Sequence, residues 1–248
     1  MSQEAPDINK LSLNSGIKTP SSQRSVSYQS IKSTNETVKV PFDHCPPECK
    51  PPAAPPLTSD QQSKYQQLFA LVSNWQGLPT TSTSTEKSQS QPLSDNERMW
   101  LTRECLLRYL RATTWHVANA EHRLQETLIW RREYGVESLT ADHISPENET
   151  GKQVILGYDN SARPCLYLNP GKQNTKKSER QIQHLVYMLE RVVDMMEPGQ
   201  EMTALLINFR GSTGGGAPSV AQGRQVMAIL QGYYPERLGR ACIADCTC

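Results

Sequence analysis

The chain has 248 residues, 26 Lys and Arg against 25 Asp and Glu, and only 6% aromatic side chains, with a mean hydropathy of −0.60. A formal net charge of +1 supplies no field that would hold a polyanion, so nucleic acid is excluded as an expected partner. No apolar run approaches the roughly 20 residues of a membrane span, and residues 1–30 lack the apolar core of a secretory signal. A cytosolic address follows as the expectation, and with it seven cysteines kept as free thiols.

Residues 1–94 hold 11 of the 17 prolines and 25 Ser and Thr, with apolar residues widely scattered. Such a stretch buries too little apolar surface to offset the entropy of ordering it. Residues 1–57 therefore read as a disordered tail, with a polyproline-like stretch at Pro46-Pro47, Pro51-Pro52 and Pro55-Pro56. Within residues 58–77, Tyr65, Leu68, Phe69, Val72 and Trp75 recur at helical spacing, which predicts a docking helix with Ser59 or Asp60 as cap and Gly77 as stop. Residues 78–93 read as a flexible polar linker.

From Ser94 the pattern changes. Ser-Asp-Asn-Glu is a capping box opening a helix that carries Met99, Trp100 and Leu101. A second helix places Leu106, Leu107 and Leu110 on one side, with Arg103, Arg108 and Arg111 around them. A third runs from about 117 to 134, stops at Gly135 and carries the stripe Val117, Ala120, Leu124 and Leu128. Residues 94–140 thus form a helical lobe, with His143 in the loop that follows. After Pro146, QVILGYD and RPCLYLNP around the turn Asp159-Asn160 read as a hairpin. An amphipathic helix follows, with Ile182, Leu185, Val186, Leu189, Val192 and Met196 inward, and then the strand TALLINF, a Gly-rich loop, a helix ending GYY and a further strand at ACIA. Strand, helix, strand implies a parallel unit, so the fold class is α/β: an N-terminal helical lobe, then a mixed sheet with covering helices over residues 141–248.

Searches for enzyme chemistry fail on the residues. The loop Arg210-Gly211-Ser212-Thr213-Gly214-Gly215-Gly216 lacks the G-K-[ST] or G-x-G-x-x-G of a nucleotide site. No G-x-S-x-G is present for a nucleophile, and the histidines read as hydrogen-bonded or solvated. His44-Cys45-Pro46-Pro47-Glu48-Cys49 and the Cys242, Cys246, Cys248 group lack partner pairs at zinc-finger spacing, so no metal or cofactor is expected.

The blocks LLRYLRAT, WRREYGVESL, RPCLYLNP, LLINFRG and GYYPERLGR, in this order and spacing over residues 58–241, resemble the CRAL-TRIO lipid-transfer family. Within it the likeness is strongest to fungal phosphatidylinositol transfer proteins of the pleiotropic-drug-resistance subclass. The resemblance implies an apolar cavity between a sheet floor and helices, and non-enzymatic phosphatidylinositol exchange by a monomer that touches membranes transiently at the endoplasmic reticulum, lipid droplets or cell periphery. It places Glu236 in the polar network beneath the inositol phosphate. It sets Thr113 and Thr114 where relatives carry a basic residue, and threonine hydrogen-bonds a phosphate without neutralising it. The positions that line the choline site in relatives that carry phosphatidylcholine match Leu166, Thr203 and Leu205, two of them apolar, so phosphatidylcholine is disfavoured and a sterol or other apolar second ligand is better tolerated. The family pattern continues past L-G-R-A with a strand, a turn and a gating helix, where this chain reads Ala241 to Cys248. That departure leads to the expectation of a chain incomplete at its C-terminus, marginally folded, aggregation-prone and unable to retain lipid. A rival reading from another class is an adaptor that recruits aromatic-groove domains to the polyproline stretch without moving lipid.

Overall fold

The fold is seen in a computed structural model that describes residues 44–82, 90–212 and 220–244. The first 43 residues, most of the Gly-rich loop, Cys246 and Cys248, on which some of the expectations above fall, lie outside the described residues.

Helix α1 (Ser59–Ser73) is capped by Thr58 rather than by Ser59 or Asp60: the Gln61 N–H donates to Thr58 Oγ1 at 3.2 Å and the Thr58 N–H donates to Gln61 Oε1 at 3.0 Å. Glutamine completes the reciprocal box as a carboxylate would. The helix ends four residues before Gly77, because the chain turns where the Trp75 indole N–H donates to Glu121 at 3.1 Å. Leu68 and Val72 are buried, whereas Phe69, expected on the same stripe, is 49% exposed.

The helical lobe follows its capping signals. In α2 (Asp95–Trp100) Ser94 and Glu97 form the reciprocal box. Helix α4 (Val117–Tyr134) ends on Gly135 at φ +70°, a left-handed C-cap that costs glycine no steric clash. Helix α3 (Arg103–Ala112) departs from expectation at one residue: Arg108, placed with the flanking arginines, is only 3% exposed. Helices α1 and α4 close over α3, and Leu68, Leu106, Leu110 and Leu124 with Tyr109 make one core.

Residues 78–93 are not a free linker at their ends. Strand β1 (Leu78–Pro79) pairs antiparallel with β2 (Ser90–Gln91). Arg132 of α4 ties them down, donating to Leu78 O at 2.8 Å and Pro92 O at 3.2 Å while gripping Glu97 through Nε and Nη2 at 2.6 and 2.9 Å. Burial opposes ionisation of Glu97, but Arg132 and the Ser94 N–H outweigh it and hold this carboxyl below its usual range. The segment expected as tail is likewise engaged from residue 44 onward: the Lys50 N–H reaches Asn160 O at 3.4 Å and Leu57 packs on the α1–α3–α4 core.

A helix the periodicity missed, α5 (Ala141–Asn148), holds His143 in its first turn and Pro146 near its end. Proline leaves one carbonyl without its helical donor. Here the Ser145 hydroxyl donates to that carbonyl, Asp142 O, at 2.9 Å.

The sheet runs β3-β4-β5-β6. Strands β3 (Gln153–Tyr158) and β4 (Pro164–Leu168) form the expected hairpin, with a bulge between Ile155 and Tyr158. Strand β5 (Thr203–Asn208) lies parallel to β4 with Leu205 opposite Leu166, and β6 (Leu238–Ala244) lies parallel to β5. Parallel neighbours need crossovers, here α6 (Glu179–Asp194) and α7 (Val220–Tyr233). The apolar face of α6, with Ile182, Leu185, Val186, Leu189 and Val192 buried, packs on the sheet as its pattern predicts. Edge strand β6 is exposed at all of its positions.

Candidate functional site

A cavity of about 1000 Å³ lies between the sheet and helices α6 and α7. Its apolar wall includes Leu185 and Leu189 of α6, Leu205 and Ile207 of β5, and Val226 and Leu230 of α7. Period-2 alternation on β5 and helical periodicity on the two helices aim these side chains into one space.

At one border stands a polar cluster. The Lys152 ammonium pairs with Glu147 and donates to Asn174 Oδ1 at 3.1 Å, while the Thr175 hydroxyl donates to Glu147 at 2.7 Å. Lys152 and Glu147 are both nearly inaccessible to solvent. Burial opposes ionisation of Glu147, yet Lys152 and Thr175 prevail and hold its pKa down. Beside this cluster Gln153 and Asn169 both line the cavity, and the side-chain oxygen of each, Oε1 and Oδ1, is buried without a donor. A ligand group that brings hydrogen-bond donors is what such acceptors fit.

His184, wholly buried under this cluster, has its pKa pushed down to about 4 by burial first and then by the Lys152 charge, with Glu147 opposing. The unfolded chain, with an ordinary histidine near 6.5, binds a proton between these values that the folded chain refuses. Stability is therefore fully present above pH 6.5 and falls as pH drops toward 4, by at most about 3 kcal/mol from this group. Urea unfolding at pH 7 and pH 4.5 checks it: the loss on acidification is expected to shrink by about 2 kcal/mol in His184→Gln.

The residues expected from the family resemblance separate in space. Thr203, Leu205 and Glu236 line the cavity. The Thr203 hydroxyl is already committed, donating to Pro164 O at 2.8 Å. Glu236 is exposed and sits at φ +59°, a left-handed conformation that costs a non-glycine residue on the order of 1 kcal/mol. Leu166 is sealed in the core with Val186 and Leu205 and does not reach the cavity. Thr113 and Thr114 sit at the α3–α4 turn, outside the cavity wall, with their hydroxyls donating to Tyr109 O at 2.9 Å and Thr113 O at 2.8 Å. Lys152, Gln153 and Asn169 carried no sequence signal, since they stand at strand ends and acquire their role only from what α5 and the 170–175 turn bring beside them.

Among the described residues no three His, Cys, Asp or Glu side chains gather to hold a metal ion. Cys45, Cys49, Cys105, Cys165 and Cys242 are free thiols. No described helix is long and apolar enough to cross a membrane.

Comparison with known proteins agrees with this architecture. Residues 64–126 match the CRAL/TRIO N-terminal domain and residues 148–247 match the CRAL/TRIO domain. A CRAL-TRIO domain-containing protein of Schizosaccharomyces pombe is 49% identical over 211 residues, covering 85% of this chain and 20% of that protein. The phosphatidylinositol transfer protein PDR17 of Saccharomyces cerevisiae is 40% identical over 213 residues, covering 78% of this chain and 60% of that protein. The chain thus spans a fifth and three fifths of these two relatives. The crystal structure of Sfh5 superposes with a TM-score of 0.51 at 14% identity, covering 75% of this chain and 70% of that one, which is a likeness of fold. With both of its domain models matched in order and its fold shared, this chain belongs to the CRAL/TRIO family.

Proposed function

We propose that this protein binds a phospholipid in the cavity beneath α6 and α7 and exchanges it between membranes without covalent chemistry, preferring phosphatidylinositol over phosphatidylcholine. The observation that carries the reading is the cavity itself: about 1000 Å³ walled by aliphatic side chains, in a chain 40% identical to a phosphatidylinositol transfer protein. A large apolar space with a few convergent polar groups is what a lipid site requires.

The polar atoms support the preference. The headgroup of phosphatidylcholine has no hydrogen-bond donor, so it would leave Gln153 Oε1 and Asn169 Oδ1 unpaired, and Thr203 offers no free donor to its phosphate. Each buried group left unmade costs about 1–3 kcal/mol. Inositol hydroxyls, or the single hydroxyl of a sterol as second ligand, would supply donors. Glu236 stands at the cavity wall for the inositol side, while Thr113 and Thr114 lie outside the wall with their hydroxyls on backbone carbonyls. The reading brings with it a monomeric cytosolic carrier that visits the endoplasmic reticulum, lipid droplets or cell periphery transiently.

The test is lipid loading. The chain is incubated with vesicles of phosphatidylcholine, phosphatidylinositol and sterol, re-isolated, and its lipid identified by mass spectrometry. Phosphatidylinositol is expected enriched over phosphatidylcholine by roughly fivefold or more relative to the vesicles, the equivalent of about 1 kcal/mol of discrimination. Recovery of no lipid, the outcome that the C-terminal departure at Ala241 to Cys248 leads one to expect, or of lipids in their vesicle proportions, would overturn the proposal.

A further inference from the structure

A second, smaller cavity of about 450 Å³ opens between the helical lobe and the C-terminal end of α6. Its inner wall carries three guanidinium groups, Arg108, Arg131 and Arg237, and one carboxylate, Glu190. That carboxylate is spoken for: Arg131 grips both of its oxygens at 2.9 Å, and the Tyr234 hydroxyl donates to it at 2.6 Å. Arg108 and Arg237 form no ion pair among the described residues. Arg108, 3% exposed, donates to Cys105 Sγ at 3.4 Å and stands 5.5 Å from the centre of the Tyr109 ring. Arg237 donates to Glu201 O at 2.9 Å and contacts Met196 Sδ, while the Glu201 carboxylate is taken by Arg111.

The other charges around this cavity cancel or face solvent. Arg191 and Asp194 pair with each other at 2.8 Å, and exposed Glu137 accepts from the Asn96 amide at 3.1 Å. The interior is left with two guanidiniums that have no ion-pair partner among the described residues, although Glu201 and Glu190 favour the charge of Arg237 from further off, an arrangement that burial penalises unless an anion joins it. Burial, and next the charge of Arg108, push Arg237 down to about 10, so it remains cationic at neutral pH.

From this cluster we infer that the cavity walled by Arg108, Arg131 and Arg237 binds a phosphate monoester. Two unpaired guanidiniums match the charge of such a group, about −1.5 to −2 at neutral pH, and their planar donor forks match its oxygens. The space exceeds what a phosphate alone fills, and Trp100, Tyr187 and Tyr233 would border the organic part. The site goes beyond the lipid-exchange reading and does not depend on it, although Tyr234 and Arg237 border both cavities.

The test is calorimetric titration of the full chain with glycerol 3-phosphate, with glycerol as the neutral control. Saturable one-to-one binding is expected for the phosphate alone, weakened tenfold or more in Arg108→Gln and Arg237→Gln and changed less than twofold in Arg191→Gln. A parallel measurement on the unmutated chain covers the case where a buried variant fails to fold: glycerol 3-phosphate, and not glycerol, is expected to raise the melting temperature with a saturating concentration dependence. Vesicles of phosphatidylcholine with one tenth phosphatidic acid separate the sources. Vesicle binding displaced by glycerol 3-phosphate identifies a lipid headgroup, and binding of the soluble monoester alone identifies a free metabolite. Retention of phosphate binding in Leu205→Trp, which blocks the larger cavity, keeps this result distinct from the lipid test. Absence of binding by both probes, or binding unaltered in a folded Arg108→Gln, overturns the inference.

Discussion

Replacing Glu190 with Ala is expected to lower the stability of this protein by about 3–5 kcal/mol, the range found when one partner of a buried ion pair is removed. Glu190 of α6 joins three elements: both of its oxygens accept from Arg131 of α4, and one also accepts from Tyr234 just beyond α7. Arg131 and Glu190 are 12% and 17% exposed at their side chains, so little water stands ready to take the place of either. Burial works against ionisation of Glu190, but the Arg131 guanidinium and the Tyr234 hydroxyl reverse the balance and hold its carboxyl below the usual range. Without the carboxylate, Arg131 is left as a third unpaired cation beside Arg108 and Arg237, and the Tyr234 hydroxyl loses its acceptor. Since net stability of a domain is commonly only about 5–15 kcal/mol, the loss would be visible as a large drop in the urea midpoint. The control is Arg131→Met with Glu190→Leu: the double variant is expected to be more stable than Glu190→Ala, because no charge remains buried without a partner. A loss below about 1 kcal/mol for Glu190→Ala would show that the pair is solvated and contributes like a surface bridge.

Leu205→Trp and Leu166→Trp form the second prediction, and they are expected to fail in opposite ways. These leucines are register partners on adjacent strands, yet Leu205 borders the large cavity and Leu166, fully buried, does not. An indole at 205 has space to occupy, so stability should change by less than about 1.5 kcal/mol while lipid loading falls at least about tenfold. An indole at 166 has none. It must displace α6, with an overpacking cost of about 1–3 kcal/mol or more. Thermal unfolding and the vesicle-loading experiment read the two effects separately. Equal destabilisation with equal loss of lipid would mean that the cavity is not an independent site.

Much of this architecture is visible in the amino-acid sequence, because its strongest determinants are local. The capping box at Ser94 and Glu97, the stop at Gly135 and the amphipathic pattern of α6 act over one or a few helical turns, and the structure has those elements where the spacing puts them. The hairpin and the parallel strand-helix-strand unit are legible as well, since a strand, a helix and a strand leave few ways to close a sheet.

What the sequence by itself could not determine depends on partners far along the chain. Residues 78 and 79 pair with 91 and 90 because Arg132, more than 50 residues on, supplies donors to Leu78 O and Pro79 O. Nothing in a run of Ser, Thr and Pro announces that. Helix α5 is not legible in the sequence since proline ordinarily breaks a helix, and here the Ser145 hydroxyl on Asp142 O occupies the carbonyl that Pro146 leaves without a donor. Among the site residues, periodicity assigns a face and never a neighbour: Leu166 and Leu205 share a register, and the packing of α6 and α7 over the sheet decides that one is core and the other cavity wall. By spacing Arg108 stands with Arg103 and Arg111 around the leucine face of α3, yet it is buried. Helices α2, α4, α6 and α7 and the turn before β6 line the cavity that it shares with Arg237, and that convergence of charges from segments more than 120 residues apart is a property of the tertiary structure alone.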